Sequence, residues 1–393
     1  MITAIGHSNN PVAAGAVEEV LAQCRDILRD RSPSLGILFT SNMDINFQAV
    51  LDRILNAWPD LPLVGCTTDG EISDILLCAE DSLCLLLIHT EKVSFSIGLG
   101  ENLSRDPEAA VNAAWTEAAR KIKKKVGHNN FTPRLGLVLA EGLKTFGVSV
   151  DQALRRVIGE NFPLFGGMAG DGYQFRRTFQ FFNDRVATDA LILVLISGPV
   201  RFSMGLFSGL RPIGKTYAIT KHKDNIVWEI DGMPAAIFME QFLGQRNYQE
   251  LPQFPLAVLT EDGDFFLRAP VFINKDDSIT FVGTFPENPR IRLTEFDREA
   301  FIQAAHQTTR ECLEHFPGSS PNLALLMPCT SRRHILGSRA MEEHAVLLQH
   351  RDRHPKMRMF GMYAYGELGP LQGTNTTFFH NDTFALLLLK EDT

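Results

Sequence analysis

Three stretches of this chain repeat one plan, and the plan leaves few folds open. Leu61–Gly70 (LPLVGCTTDG), Phe162–Gly172 (FPLFGGMAGDG) and Met359–Gly366 (MFGMYAYG) each read as an apolar strand that runs into a glycine-rich exit. A buried-strand run precedes each of them, at Leu35–Thr40, Arg134–Leu139 and Leu323–Met327. Between the paired runs lie helical stripes: Phe47, Val50, Leu51, Ile54, Leu55 and Trp58, then Val150, Ala153, Leu154, Val157 and Ile158, then Met341, His344, Ala345 and Leu348. Gly65, Gly166 and Gly361 hold equivalent places, and a second glycine follows at Gly70, Gly172 and Gly366. Glu71 and Glu367 come directly after that second glycine. The fold class this implies is α/β: duplicated strand–helix–strand units forming mixed sheets flanked by helices, in two domains. Loops then gather at one sheet edge, where glycine permits positive φ or close approach to a ligand.

The segments between the repeats are simpler. Residues 1–29 read as an N-terminal helical segment, with its apolar spacing from residue 11. Ser82–Ile88, Val93–Leu99, Ala190–Ile196, Val200–Gly205 and Thr383–Leu389 read as closing strands. A helix over 106–125 starts at Asp106 and Pro107, a cap and a first-turn residue. Residues 200–230 and 251–293 read as strand-rich, with helices at Ala235–Leu243 and 296–315 and a loop at Pro317–Asn322. The division this suggests is 1–29, then a first domain at 30–208 and a second, ligand-binding domain at 209–393.

Charge and cysteine usage exclude several functions. The formal net charge of -8 gives no footprint for nucleic acid or an anionic membrane. The one basic run, Arg120–Lys125, sits at a helix end, where cations suit the dipole. The start, MITAIGHSNNPVAAG, lacks the pattern of a secretory leader, and the longest apolar runs are strand length, so no membrane insertion is expected. Six cysteines without a CxxC pair suit a reduced, cytoplasmic protein.

Several motifs carry chemistry on paper. Gly209–Thr216 spells a P-loop, but a strand-like segment follows and Pro212 removes a cradle amide, so a strand is expected. Gly166–Gly172 is glycine-rich without being a dinucleotide fingerprint. Cys329, beside Arg332, Arg333 and His334, offers a nucleophile if those cations lower its pKa, and otherwise a small residue at a strand exit. His344 interrupts an apolar stripe, either as a buried histidine or as a metal or haem ligand. The run Met359–Asp382 is the most crowded in aromatic, glycine and polar residues. It holds two of the five tyrosines, Tyr363 and Tyr365, beside Glu367, with His380 close behind. Strict alternation would place both tyrosines on one face, as a pocket wall with hydroxyl handles.

Taken together, LPLVGCTTDGEIS at 61–73, FPLFGGMAGDG at 162–172, LRPIGKTYAITKHKDNIVWEIDGMPA at 210–235, PCTSRR at 328–333, FGMYAYGELGP at 360–370 and FHNDT at 379–383 resemble the FIST family. The resemblance covers about residues 30 to 390 and implies a sensor with FIST N and FIST C domains. It implies a small-molecule ligand and a separate partner, such as a histidine kinase, a cyclic-di-GMP signalling protein or a chemotaxis receptor. Two-domain members include haem proteins that sense nitric oxide, and others are proposed to sense amino acids. His334 and His344 stand where the family pattern suggests aliphatic residues, which points to the haem branch.

The expectation is therefore a non-enzymatic sensor with a pocket built from Cys329, Arg332, Arg333, Tyr363, Tyr365, Glu367 and His380. Its favoured cofactor is haem b, held by His344, His380 or His334 in that order, with nitric oxide as the signal. The alternatives are a metabolite sensor without haem, for an amino acid for example, and a cysteine-dependent enzyme using Cys329.

Overall fold

The computed structural model describes the chain except residues 127–131, 244–250, 262, 296, 372–373, 375 and 393, and side chains at 123–126. Three six-stranded sheets form the body of the molecule, and an antiparallel eight-stranded sheet spans residues 212–294. Each six-stranded sheet has a parallel pair at its centre: Leu35–Thr40 with Leu63–Thr67, Pro133–Ala140 with Leu164–Met168, and Leu323–Leu326 with Arg358–Met362. The crossover between the first pair is the helix Phe47–Ala57, capped by Asn46. Val150–Ile158 crosses between the second pair. The third crossover contains two helices, Thr330–Leu336 and Ala340–Leu348, of which the stripe at 341–348 indicated only the second. No helix among the described residues is long and apolar enough to cross a membrane.

The central strands are continuous apolar runs because both of their faces are covered. On one face Ile37, Phe39, Leu137, Leu139, Leu325 and Met327 meet in a single core shared by all three units, with Phe39 stacked on Phe360 at 5.0 Å. On the other face each sheet is covered by its own helices, as where Leu38 and Leu63 meet Val50 and Ile54. Full burial of each such leucine or phenylalanine stabilises the fold by roughly 1.5–3 kcal/mol.

Register confirms the equivalence of the first glycines. Gly65 pairs with Leu38, Gly166 with Val138 and Gly361 with Leu326. A Cβ on any of them would lie 2.0–2.2 Å from the partner's carbonyl oxygen, so close approach of two strands requires glycine there. The second set of glycines is different. Gly70 and Gly366 are equivalent, but the matching residue of the middle unit is Phe179, because that loop is longer than the other two. The residues that follow, Glu71, Gln180 and Glu367, all pair with the position after the first glycine: Met362, Cys66 and Gly167 respectively.

Those pairings cross between units. The hairpin Glu71–Ala79 of the first unit completes the third unit's sheet. Gln180–Ala187 of the second completes the first, and Glu367–His380 of the third completes the second. A ring of backbone hydrogen bonds closes the cycle. Asp69 N–H donates to the Tyr363 carbonyl (3.2 Å), Tyr365 N–H to Met168 (3.1 Å) and Gly170 N–H to Thr67 (3.0 Å).

Two expectations need correction. Residues 2–8 of the N-terminal segment form a strand paired with Leu83–His89, and the helix runs only over Ala13–Leu28. The fragment ITAIGHS is short and ends in polar residues, so its pattern is weak. Ser94–Glu101 and Val200–Phe207 do not close their own units' sheets. The first pairs with Ala190–Ser197 and the second with Phe384–Glu391. As expected, Pro212–Lys223 is a strand, and no P-loop forms.

Candidate functional site

The residues expected to form one pocket fall into three places. The first is a buried ionic network. Arg332 is fully buried and donates to Glu343 through Nε, to the carbonyls of Ser208 and Asp382 through Nη1, and to the Phe301 carbonyl through Nη2, which also forms an ion pair with Glu343. All three of its nitrogens thus have partners within the protein. Tyr363 belongs to the same network, with its hydroxyl 2.9 Å from His344 Nε2. Burial depresses the His344 pKa to about 3, with the Arg332 charge adding to the effect, so the ring is neutral.

The second place surrounds Asp69, a residue absent from the expected set. Its Oδ2 accepts from the Thr330 hydroxyl and lies 3.3 Å from His334 Nε2, while Oδ1 is buried with no partner among the described residues. Arg333 donates to the Asp69 carbonyl and pairs with Glu80. The His334 ring packs on Tyr173 at 3.8 Å. Burial raises the Asp69 pKa against the pull of His334 and Arg333.

The third place lies over the turn His380–Thr383. A small cavity of about 30 Å³ is lined by Cys329, Thr330, Ser331, Tyr173, Tyr365 and Asn381, among others. That is room for about one water. Beside it lies a cavity of about 530 Å³ with His380, Asn381 and Thr383 in its wall. This falls in the range of small-molecule sites. Asn381 lines both cavities. The larger one is bounded by Leu206–Arg211, by Asp264–Leu267 of the eight-stranded sheet, and by one face of the helix Arg298–Glu314.

Tyr363 and Tyr365 do not share a wall. The chain bends after Met362 on its way from the third sheet to the second. Tyr363 therefore packs with the helix Ala340–Leu348, while Tyr365 stacks on Phe175 at 5.1 Å and donates to Asp171 at 2.6 Å. Arg332 and Arg333 diverge for the related reason that adjacent helical residues point about 100° apart.

Each residue of the turn has a distinct partner. His380 Nε2 lies 3.2 Å from the Gly369 carbonyl, so it carries the proton and donates. Nδ1 then presents a lone pair and has no partner among the described residues. Burial lowers the His380 pKa to about 4, which keeps the ring neutral. Asn381 Oδ1 accepts from Ala269 N–H at 3.2 Å, which fixes the amide and leaves Nδ2 without a partner among the described residues. Asp382 has positive φ (59°) and accepts from Ser331. Its pKa rises to about 6 through burial. Thr383 donates its N–H (3.1 Å) and hydroxyl (2.7 Å) to Glu367 Oε2. Burial lifts Glu367 well above the usual carboxylate range, favouring the protonated acid.

The cysteine alternative finds no support in this geometry. Cys329 is buried, and burial, with Glu367 and Asp382 next to it, pushes the thiol pKa far up, opposite to what a nucleophile needs. Iodoacetamide is therefore expected to label Cys329 of the folded protein no faster than the partly exposed Cys78, and rapidly only after denaturation. Fast labelling by peptide mapping would restore the thiolate.

The histidines do not fit a haem. His344 Nε2 is engaged by Tyr363 in a packed core, while His380 keeps Nδ1 free among the described residues, so its fit turns on the cavity around it. His334 is bonded to Asp69 and its ring packs on Tyr173. The large cavity carries four carboxylates, Asp264, Glu295, Asp297 and Glu299, unsuited to a macrocycle with anionic propionates. No group of three or more metal-ligating side chains occurs among the described residues.

The family model of the FIST N domain matches residues 34–233, and that of the FIST C domain matches residues 235–370. The chain belongs to the FIST family. FIST domains are sensory, ligand-binding domains of signal transduction. Among similar proteins, an uncharacterized protein of Methanocaldococcus jannaschii is 26% identical over 226 residues, 56% of this chain and 42% of its own. An uncharacterized protein of Aquifex aeolicus is 29% identical over 126 residues, 30% of this chain and 46% of its own. The match thus spans less than half the length of each relative.

Asp69, Asn381 and the walls of the large cavity were missing from the expected site. Asn381 and Asp382 did have a signal, in the FHNDT motif. The strand 264–267 and the helix face 299–307 had none, since their sequence reads as ordinary amphipathic structure.

Proposed function

We propose that this FIST protein is a sensor that binds a small polar metabolite in the 530 Å³ cavity and reports it to a separate signalling protein. The observation that carries this reading is the pair of unused polar atoms in the cavity wall, His380 Nδ1 and Asn381 Nδ2, on side chains only 7% and 1% exposed. Neither atom is sealed from solvent, so a ligand can take the place of the water that reaches them. The cavity lies at the seam between the eight-stranded sheet and the third unit, so an occupant touches both. Its effect passes along the turn: Thr383 holds Glu367 and Asp382 holds Ser331, beside the central ring. A histidine kinase or a cyclic-di-GMP signalling protein is the kind of partner that would read this change.

A thermal-shift screen of small metabolites, amino acids included, tests the reading. A true ligand at a hundredfold excess over Kd stabilises by about 2.7 kcal/mol, raising the wild-type midpoint but not that of His380→Ala. If no compound shifts the midpoint at millimolar concentration, the cavity is not a metabolite site.

A further inference from the structure

The charge pattern of the cavity sorts possible ligands by class. Asp264, Glu295, Asp297 and Glu299 all line it, and Arg211 is the only permanent cation among the described residues that do. Asp297 and Glu299 have partial duties elsewhere. Asp297 caps the helix through Glu299 N–H, and Glu299 binds Gln303 and Arg339. Asp264 and Glu295 are exposed and form no ion pair among the described residues. Four exposed carboxylates against one guanidinium create a negative field in a concave site, which concentrates cations at low salt.

The inner wall agrees with the rim. His380 is neutral, and the Gly369 carbonyl fixes its Nε2–H tautomer, so Nδ1 can only accept. Its best complement is a charged N–H donor. Leu206, Leu210, Phe265, Leu267, Ala300 and Ala304 supply apolar wall between the two polar regions. Such a cavity fits a molecule with a cationic nitrogen at each end and methylenes between. Resting on the metabolite-sensor reading, the geometry points to an aliphatic di- or polyamine as the ligand, with one ammonium on His380 Nδ1 and another at the Asp264–Glu295 rim. A zwitterionic amino acid would bring its carboxylate towards four like charges.

Titration calorimetry on the full chain tests this with 1,4-diaminobutane, spermidine, lysine, alanine and succinate. The diamine and spermidine are expected to bind with an affinity that falls as salt rises. The double variant Asp264→Asn, Glu295→Gln, which alters only exposed side chains, is expected to weaken them by about tenfold or more. His380→Leu is expected to abolish the binding. If alanine or succinate binds, loses affinity in His380→Leu, and the amines do not bind, the amine assignment fails while the metabolite-sensor reading stands. If no probe binds, the amine assignment falls, and the thermal-shift screen alone decides the metabolite-sensor reading. If amines bind wild type and both variants alike, the binding is to the general acidic surface and the assignment is overturned.

Discussion

Arg332→Ala is expected to destabilise the protein by about 3–5 kcal/mol, the range for removing one partner of a buried ion pair. The loss arises mainly from what is left behind. Glu343 would stay fully buried without its cation, and the carbonyls of Ser208, Phe301 and Asp382 would lose their donor. The guanidinium also lies 4.5 Å from the Phe301 ring centre, so packing is lost as well. Urea unfolding followed by circular dichroism gives the number. The double variant Arg332→Met, Glu343→Leu strands no charge and is expected to recover part of the loss. A single-variant loss below about 1 kcal/mol would mean that water reaches Glu343 and that the site is not sealed as described.

The second large effect is on pH dependence. Glu71 is fully buried and accepts from Ser41, Ser82 and Thr68. Burial lifts its pKa from 4.5 to about 7, outweighing those hydroxyls. Between these values the folded state binds more protons than the unfolded one. The contribution of Glu71 is then fully present below pH 4.5 and is lost as pH rises through 7, for about 3 kcal/mol in all. Glu71→Gln removes the charge while keeping an acceptor oxygen, and the middle unit already has Gln180 at this position. The variant is expected to be more stable than wild type at pH 8 and to lose less stability between pH 5 and 8. An unchanged slope would assign the dependence to Glu343, Glu367, Asp382 and Asp69, whose pKa values shift in the same direction.

What the sequence reveals and hides follows from how local each determinant is. The central strands and their crossover helices are legible because burial on both faces writes continuous apolar runs, and one-sided packing writes helical stripes. The three first glycines are legible because each is needed for the same steric reason. Strand partnership is not legible. Ser94–Glu101 has the same alternating composition whether it joins its own unit or the next, and long-range pairing leaves no local trace. Tyr363 and Tyr365 look like neighbours on one face until a bend separates them, and Arg332 looks available until Glu343 and three carbonyls surround it. His380 was found through its motif, whereas its large cavity comes from segments some 80 to 170 residues upstream.

The cyclic exchange of hairpins has a consequence for biosynthesis. Hairpin 71–79 leaves the ribosome early, yet its partner strand Arg358–Met362 lies far downstream. The first unit in turn waits for Gln180–Phe182, and the second for Glu367–Pro370. The first six-stranded sheet can be completed once residue 187 has emerged, but the second and third keep unpaired strand edges until residues 358–391 are made. Such a chain depends on holding chaperones during synthesis. A stop codon before residue 370 should yield insoluble product, not a smaller working sensor.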